Sequence, residues 1–305
     1  MMKPTKLLCS TAACFLLLLV PVFASLPAQE RMDEDATSSS EHSAEAMSPD
    51  LQDEAARQTA EKRREIIEDA VEALRESENA LSALYDGRTD DALQALENAV
   101  GKLELVLARE RGLALAPVEV DLLVFDLYAT TEKVREAVER ADELLEDGMV
   151  QEARSLMSDL ASEIVISVTN LPLATYPEAI KAVTPLIDAG KTDEAKRALE
   201  VALSTLVIVD TIIPLPVLRT NILLGDAEKL AEKDARSEDE NMRLSKHLEA
   251  ARMQLELGEA LGYGSEELFE EFYMELEEIE TKTAGGKSGD GFFDNLKEAL
   301  SKAFG

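Results

Sequence analysis

Residues 187–221 read IDAGKTDEAKRALEVALSTLVIVDTIIPLPVLRTN, and the fold turns on how this run is read. Gly190 is placed to end one helix, because glycine supplies the left-handed conformation that a helix C-terminus often takes. Thr192 can cap a second helix, with Asp193 and Glu194 favourable in its first turn. The apolar run LVIVDTIIPLP then reads as a continuation of that helix. Pro214 stops it by removing a backbone donor and clashing with the preceding turn.

The same unit occurs earlier. LYDGRTDDALQAL at 84–96 and LEDGMVQEARSLM at 145–157 align with IDAGKTDEAKRAL at 187–199 without gaps. Gly87 and Gly148 match Gly190, and Thr89 is the counterpart cap in the first copy. Ala92, Ala153 and Ala195 allow the paired helices to approach closely. Each unit is expected to be a helical hairpin. With the second and third units superposed on their glycines, Pro172 falls opposite Pro214 and Leu173 opposite Leu215. Thr175 and Glu178 suggest a capping box around Pro177. The first unit has a looser counterpart ending at Pro117. Pro172, Tyr176, Pro177, Pro214 and Pro216 are therefore the candidate joints between buried helices. The hairpin turn resembles that of a tetratricopeptide repeat, but its glycines stand 61 and 42 residues apart, not at the constant ~34 of that family.

Composition fits a helical core. Apolar residues make up 46% of the 305-residue chain, aromatics only 4%, and there is no Trp, so Leu, Ala, Val and Ile must fill the interior. The formal charge of −31 argues against nucleic-acid partners and against anionic membrane surfaces. Lys3 and Lys6, the apolar run from Leu7 to Val20, and VFA ending at Ala24 have the order of a secretory signal peptide. Cleavage is expected after Ala24, with Ala28 as the second site. A retained anchor is the competing reading, although the run is short for a membrane span. Both cysteines, Cys9 and Cys14, lie in this segment, and losing Lys3 and Lys6 takes the charge from −31 to −33. The mature chain would then have no thiol chemistry.

Residues 25–52 are acidic and serine-rich without apolar periodicity, as expected of a disordered leader. A helical domain is expected over 53–283, beginning with Ile66, Ile67, Ala70, Val71, Leu74, Leu81 and Leu84 at helical spacing. Ser237 with Glu240 forms a capping-box pattern. Gly262 and Gly264 break the following helix, and Ser265 caps the next. Residues 284–290 read as a glycine-rich linker. Residues 291–305 form a terminal amphipathic helix in which Phe292, Phe293, Leu296, Leu300 and Phe304 are the candidate interaction residues. Its charged side chains cancel. Docking onto the parent domain, onto a partner, or onto a membrane are all readings of that face, with membrane the least favoured because surface-lying helices are usually basic. The fold class expected is all-α: a multi-helix bundle of repeated hairpins with a C-terminal amphipathic helix.

No catalytic constellation emerges. The Gly286-Lys287-Ser288 triplet lacks the first glycine and the preceding strand of a phosphate-binding loop. His42 lies in the leader, and His247 alone cannot build a zinc site or a serine triad. Glu270–Glu271 and Glu277–Glu278 lack the ligand spacing of an EF-hand and read as solvated helix faces. Tyr176 and Tyr263 sit at expected joints, either packing there or lining a ligand pocket. No catalytic residue, metal or cofactor is expected.

Four separated segments, LPLATYPEAIKA, GKTDEAKRALEVALSTLVIVDTIIPLPVLR, ARMQLELGEALGYG and EIETKTAGGKSGDGFFDNLKEAL, together resemble the YfdX family of secreted bacterial proteins. The resemblance covers about 112–305 well and 53–111 loosely. It implies export, a mostly helical fold and no established catalytic activity. Because some members are associated with acid stress, it also implies a stress-related or chaperone-like role. The expectation is an exported, non-enzymatic protein that forms homo-oligomers promoted by acid and holds client proteins. It has no nucleic-acid partner and no stable membrane insertion after signal cleavage. The alternative is a periplasmic module for a small apolar ligand.

Overall fold

The computed structural model describes residues 49–304. The expected signal peptide and most of the acidic leader lie outside the described residues, although Pro49–Gln52 of that leader already belong to the first helix. Along the chain run α1 (Pro49–Arg64), α2 (Glu68–Tyr85), α3 (Thr89–Arg109), β1 (Leu115–Phe125), α4 (Thr131–Glu146), α5 (Val150–Ser158) and β2 (Glu163–Pro172). They are followed by α6 (Tyr176–Lys181), α7 (Thr184–Asp188), α8 (Thr192–Leu203), β3 (Val207–Pro214), α9 (Leu215–Ala231), α10 (Glu238–Ala260), α11 (Glu266–Thr283) and α12 (Asp294–Phe304).

The chain is mostly helical, but it is not all-α. β1, β2 and β3 form one antiparallel sheet in that order. The run read as a helix extension, from Val207 to Pro214, is β3. Six of its eight residues are Val, Ile or Thr, whose branched side chains suit a pleated strand better than the crowded face of a helix. Pro172 and Pro214 therefore end strands, not helices. Pro117 lies inside β1, where the register shifts between Pro117 and Glu119. A proline that cannot donate to the ladder fits such a bulge.

The three glycine turns share one geometry. Gly87, Gly148 and Gly190 have φ of 73°, 75° and 73°. The residue after each glycine donates its N–H to the carbonyl five residues earlier: Arg88 to Ala83, Met149 to Leu144 and Lys191 to Leu186, at 2.8, 2.8 and 2.9 Å. This bond closes the end of a helix whose last carbonyls have no other partner. Thr89 and Thr192 are not caps. Each is the first helical residue, and Arg88 and Lys191 before them make no side-chain cap. Thr175 likewise makes no capping bond at α6. The capping box at Ser237 and Glu240 is present, and Ser265 caps α11. The Lys233 ammonium and the Ser237 backbone N–H hold the Glu240 carboxyl down to about 2.

Three apolar clusters organise these elements. The first joins α2, α3, α6, α7 and α8 around Leu84, Leu96, Leu103, Tyr176 and Leu199. The second joins α9 to α12 around Leu224, Leu255, Phe269, Phe272 and Leu296. The third lies between them, where Val120, Ile164, Ile166 and Val168 of the sheet meet Leu51 and Ala55 of α1 and Leu218 of α9. On the opposite face of the sheet, the cross-strand row Leu123–Val165–Ile212 leaves Leu123 and Ile212 more than half exposed, at 54% and 51%. β3 is an edge strand, and Val207–Ile212 are exposed along it.

Candidate functional site

α9 begins at the end of β3 and carries one arginine in its apolar first half, LPVLRTNILL. The helix buries Leu215, Val217 and Leu218, so its packing carries the Arg219 guanidinium under protein surface as well. Arg219 finds a counter-charge 93 residues away. Its Nη2 donates to both carboxylate oxygens of Asp126, at 2.8 and 2.7 Å. Asp126 follows directly after β1 and is only 5% exposed. An ion pair this buried breaks roughly even on formation, but losing one partner leaves the other charge stranded at a cost of about 3 kcal/mol.

Around this pair lies a cleft of about 290 Å³, walled by Leu51 of α1, by Ile222 and Leu223 of α9, and by Gln254 of α10, with Tyr128 at its exposed rim. The Tyr128 phenol is pushed above its ordinary value by its hydrogen bond to the Asp126 carboxylate and then by that negative charge. Gln254 Oε1 is buried and has no hydrogen-bond partner among the described residues. An unsatisfied amide oxygen of this kind costs about 1–3 kcal/mol. A buried ion pair, an unpaired buried amide oxygen and three aliphatic walls thus meet in one depression.

The candidate joint residues lie elsewhere and do not converge on a single site. Pro172 ends β2 opposite Leu115. Tyr176 and Pro177 open α6 and are buried, with Tyr176 inside the first apolar cluster. Ser77 lies next to the Tyr176 phenol but donates its own proton to Ala73 O at 2.8 Å. Tyr176 Oη has no hydrogen bond within geometric limits among the described residues. Burial pushes the phenol up to about 12, with Ser77 opposing. Tyr263 is satisfied instead: its Oη accepts from Ser162 N at 2.9 Å and donates to Glu163 at 2.8 Å. Pro216 lies in the first turn of α9 and is buried. There it faces Gly258 of α10, where an added Cβ would come within 3.5 Å of the proline ring.

The terminal helix is docked within the chain. Phe293, Leu296 and Leu300 are buried in the second cluster. Phe304 packs with its ring 6.2 Å from that of Phe272, and Lys297 bonds Glu228 of α9 at 2.7 Å. Phe292 stays partly buried under Lys282, whose ammonium lies 5.7 Å from the ring centroid. The preceding segment is tied down by Arg236, whose Nη2 donates to the carbonyls of Thr283 and Lys287 at 3.1 and 2.6 Å. Pro214, Leu300 and Phe304 do meet, in a smaller cleft of about 210 Å³ that α1 borders through Glu54, Arg57 and Gln58.

Sequence reasoning missed Asp126, Tyr128, Arg219 and Gln254. Only Arg219 carried a signal, as the one cation in the apolar first half of α9. No group of three or more His, Cys, Asp or Glu side chains is placed to hold a metal among the described residues, and none of the described helices is long and apolar enough to cross a membrane.

Comparison with known proteins finds one similar family. A YfdX protein model matches residues 73–212, a stretch that starts in α2 and ends near the close of β3. A crystal structure described as Salmonella Typhi YfdX is similar at 17% identity. That match covers 49% of this chain and 93% of the other, with a TM-score of 0.34. No curated protein matches. Over residues 73–212, which hold three glycine-turned helix pairs each leading into a strand, the chain is similar to the YfdX family.

Proposed function

We propose that this protein is an exported, non-enzymatic holder of other chains in the bacterial envelope. In this role it captures extended apolar segments of partly unfolded clients along the free edge of β3. One observation carries the reading: Val207, Ile208, Val209 and Ile212 are exposed on a strand that, among the described residues, has a neighbouring strand on one side only. An edge strand leaves a row of backbone N–H and C=O groups unpaired, and natural proteins usually blunt such edges with charge, proline or cover. Here Asp210 is the one charged residue among eight. A strand added there would gain main-chain hydrogen bonds whatever its sequence, while alternate side chains would meet apolar neighbours. The acidic excess over the whole chain keeps loaded complexes apart by mutual repulsion.

The same reading treats each helix pair and its following strand as one unit used three times, with the last unit supplying the open edge. The test is aggregation of several unrelated heat- or reductant-unfolded clients, with the full chain added in increasing amounts. Suppression across clients is expected, and a chain carrying both Ile208→Lys and Ile212→Lys should lose it. Both side chains are more than half exposed, at 64% and 51%, so the fold should tolerate the change. A double variant that suppresses as well as the unmodified chain would overturn the reading.

A further inference from the structure

We infer that the cleft between α1, α9 and α10 binds a small neutral molecule that carries a carboxamide on an apolar body. Arg219 and Asp126 are the charged residues lining this cleft, and each already neutralises the other. A ligand anion would compete with Asp126 for Arg219, and a ligand cation would compete with Arg219 for Asp126. A neutral molecule disturbs neither. Two polar demands remain. Gln254 Oε1, buried and unpartnered among the described residues, needs a donor. Arg219 contributes only Nη2 to the described hydrogen bonds, although a guanidinium has five N–H donors in a fixed fork, so it can still serve an acceptor.

A carboxamide offers both complements side by side, an N–H for Gln254 and a carbonyl oxygen for Arg219. It also pairs with the Gln254 amide in either orientation of that side chain, because each amide is both donor and acceptor. Leu51, Ile222 and Leu223 supply the apolar walls, and Tyr128 stands at the mouth. The volume of about 290 Å³ lies just below the ~300–1,000 Å³ usual for ligand pockets, which suits a small ligand. This site is independent of client capture at β3, since none of its lining residues belongs to that strand.

The probe is 3-phenylpropanamide, titrated into the full chain alongside the anion 3-phenylpropanoate and the cation 3-phenylpropylamine, which have closely matched apolar bodies. Saturable one-to-one binding of the amide is expected, with both charged analogues roughly tenfold weaker or more, the factor that loss of one hydrogen bond to a buried group typically gives. Methyl resonances of Leu51, Ile222 and Leu223 should shift with the amide in the unmodified chain, a readout that needs no variant. Gln254→Leu should fold at least as well as the parent, because it removes an unpaired buried acceptor, and should lose about tenfold in amide affinity. N-acetylphenylalaninamide separates two sources of the same chemistry. Binding as tight as the probe assigns the site to amides of polypeptides, and exclusion assigns it to free small amides. Non-saturable binding, equal affinity for the propanoate, shifts confined to other methyls, or undiminished affinity in Gln254→Leu would each overturn the proposal.

Discussion

Arg219 Nη2 reaches both carboxylate oxygens of Asp126, at 2.8 and 2.7 Å, and so ties the start of α9 to the segment that leaves β1. The clamp joins the sheet to the second helical cluster. Asp126→Ala leaves the Arg219 side chain, three-quarters buried, with no counter-charge, and should cost about 3 kcal/mol. Arg219→Met together with Asp126→Leu should cost much less than Asp126→Ala alone, because no charge is stranded. Urea unfolding of the three chains checks this, and equal midpoints would contradict it.

Tyr176 gives a prediction of opposite sign. Its phenol is buried, lacks a hydrogen bond among the described residues, and is pushed from 10.0 up to about 12. The raised value means that the folded state keeps the proton when the unfolded chain has already released it. The contribution to stability is therefore fully present below pH 10.0 and is lost as pH rises through about 12. Tyr176→Phe removes an unpaired polar atom, so stability at neutral pH should hold or rise slightly. Loss of stability between pH 10 and 12 should become shallower. Denaturant midpoints at neutral pH and across that alkaline window test both halves. A variant with a lower neutral midpoint and an unchanged alkaline slope would contradict the account.

How much of this was legible in the sequence depends on the element. The helices around Gly87, Gly148 and Gly190 were readable because a glycine at a helix end has a local cause, its positive φ. The Ser237–Glu240 box was readable for the same reason. The strands were missed on two grounds. In β3, a short run of Val and Ile looks the same to a period count whether it continues a helix or starts a strand, and only three residues separate the end of α8 from the start of β3. In β1 the signal was present, since Val118, Val120 and Leu122 alternate with Glu119 and Asp121. Pro117 just before them drew attention to a helix stop instead. The cleft was not legible, because Asp126, Arg219 and Gln254 come from three separate elements and no local spacing links them.

Acid should promote association. The chain carries 62 carboxylates and a formal charge of −31, so copies repel one another at neutral pH. Ordinary exposed carboxylates titrate near pH ~4. A minority stay charged further into acid, among them Glu240 at about 2, and Glu54 and Asp226, which are held down by Arg57 and Lys229. Repulsion should therefore fall as pH drops toward ~4, and added salt at neutral pH should partly reproduce the effect by screening. Light scattering of the chain without residues 1–24 across neutral to mildly acidic pH checks it. An unchanged mass in both low and high salt would remove acid-promoted assembly from the account.

The central claim is that β3 lends its open edge to other chains, and hydrogen exchange along Val207–Ile212 tests it most directly. In an antiparallel strand, alternate backbone groups face opposite neighbours. In the free protein, one set of β3 amides is therefore bonded to β2 while the other set is open to solvent. With a saturating amount of an unfolded apolar client, the account predicts that the open set becomes strongly protected while amides in α10 and α11 do not change. If the client is held but the open β3 amides exchange as fast as before, capture occurs elsewhere and the claim is wrong.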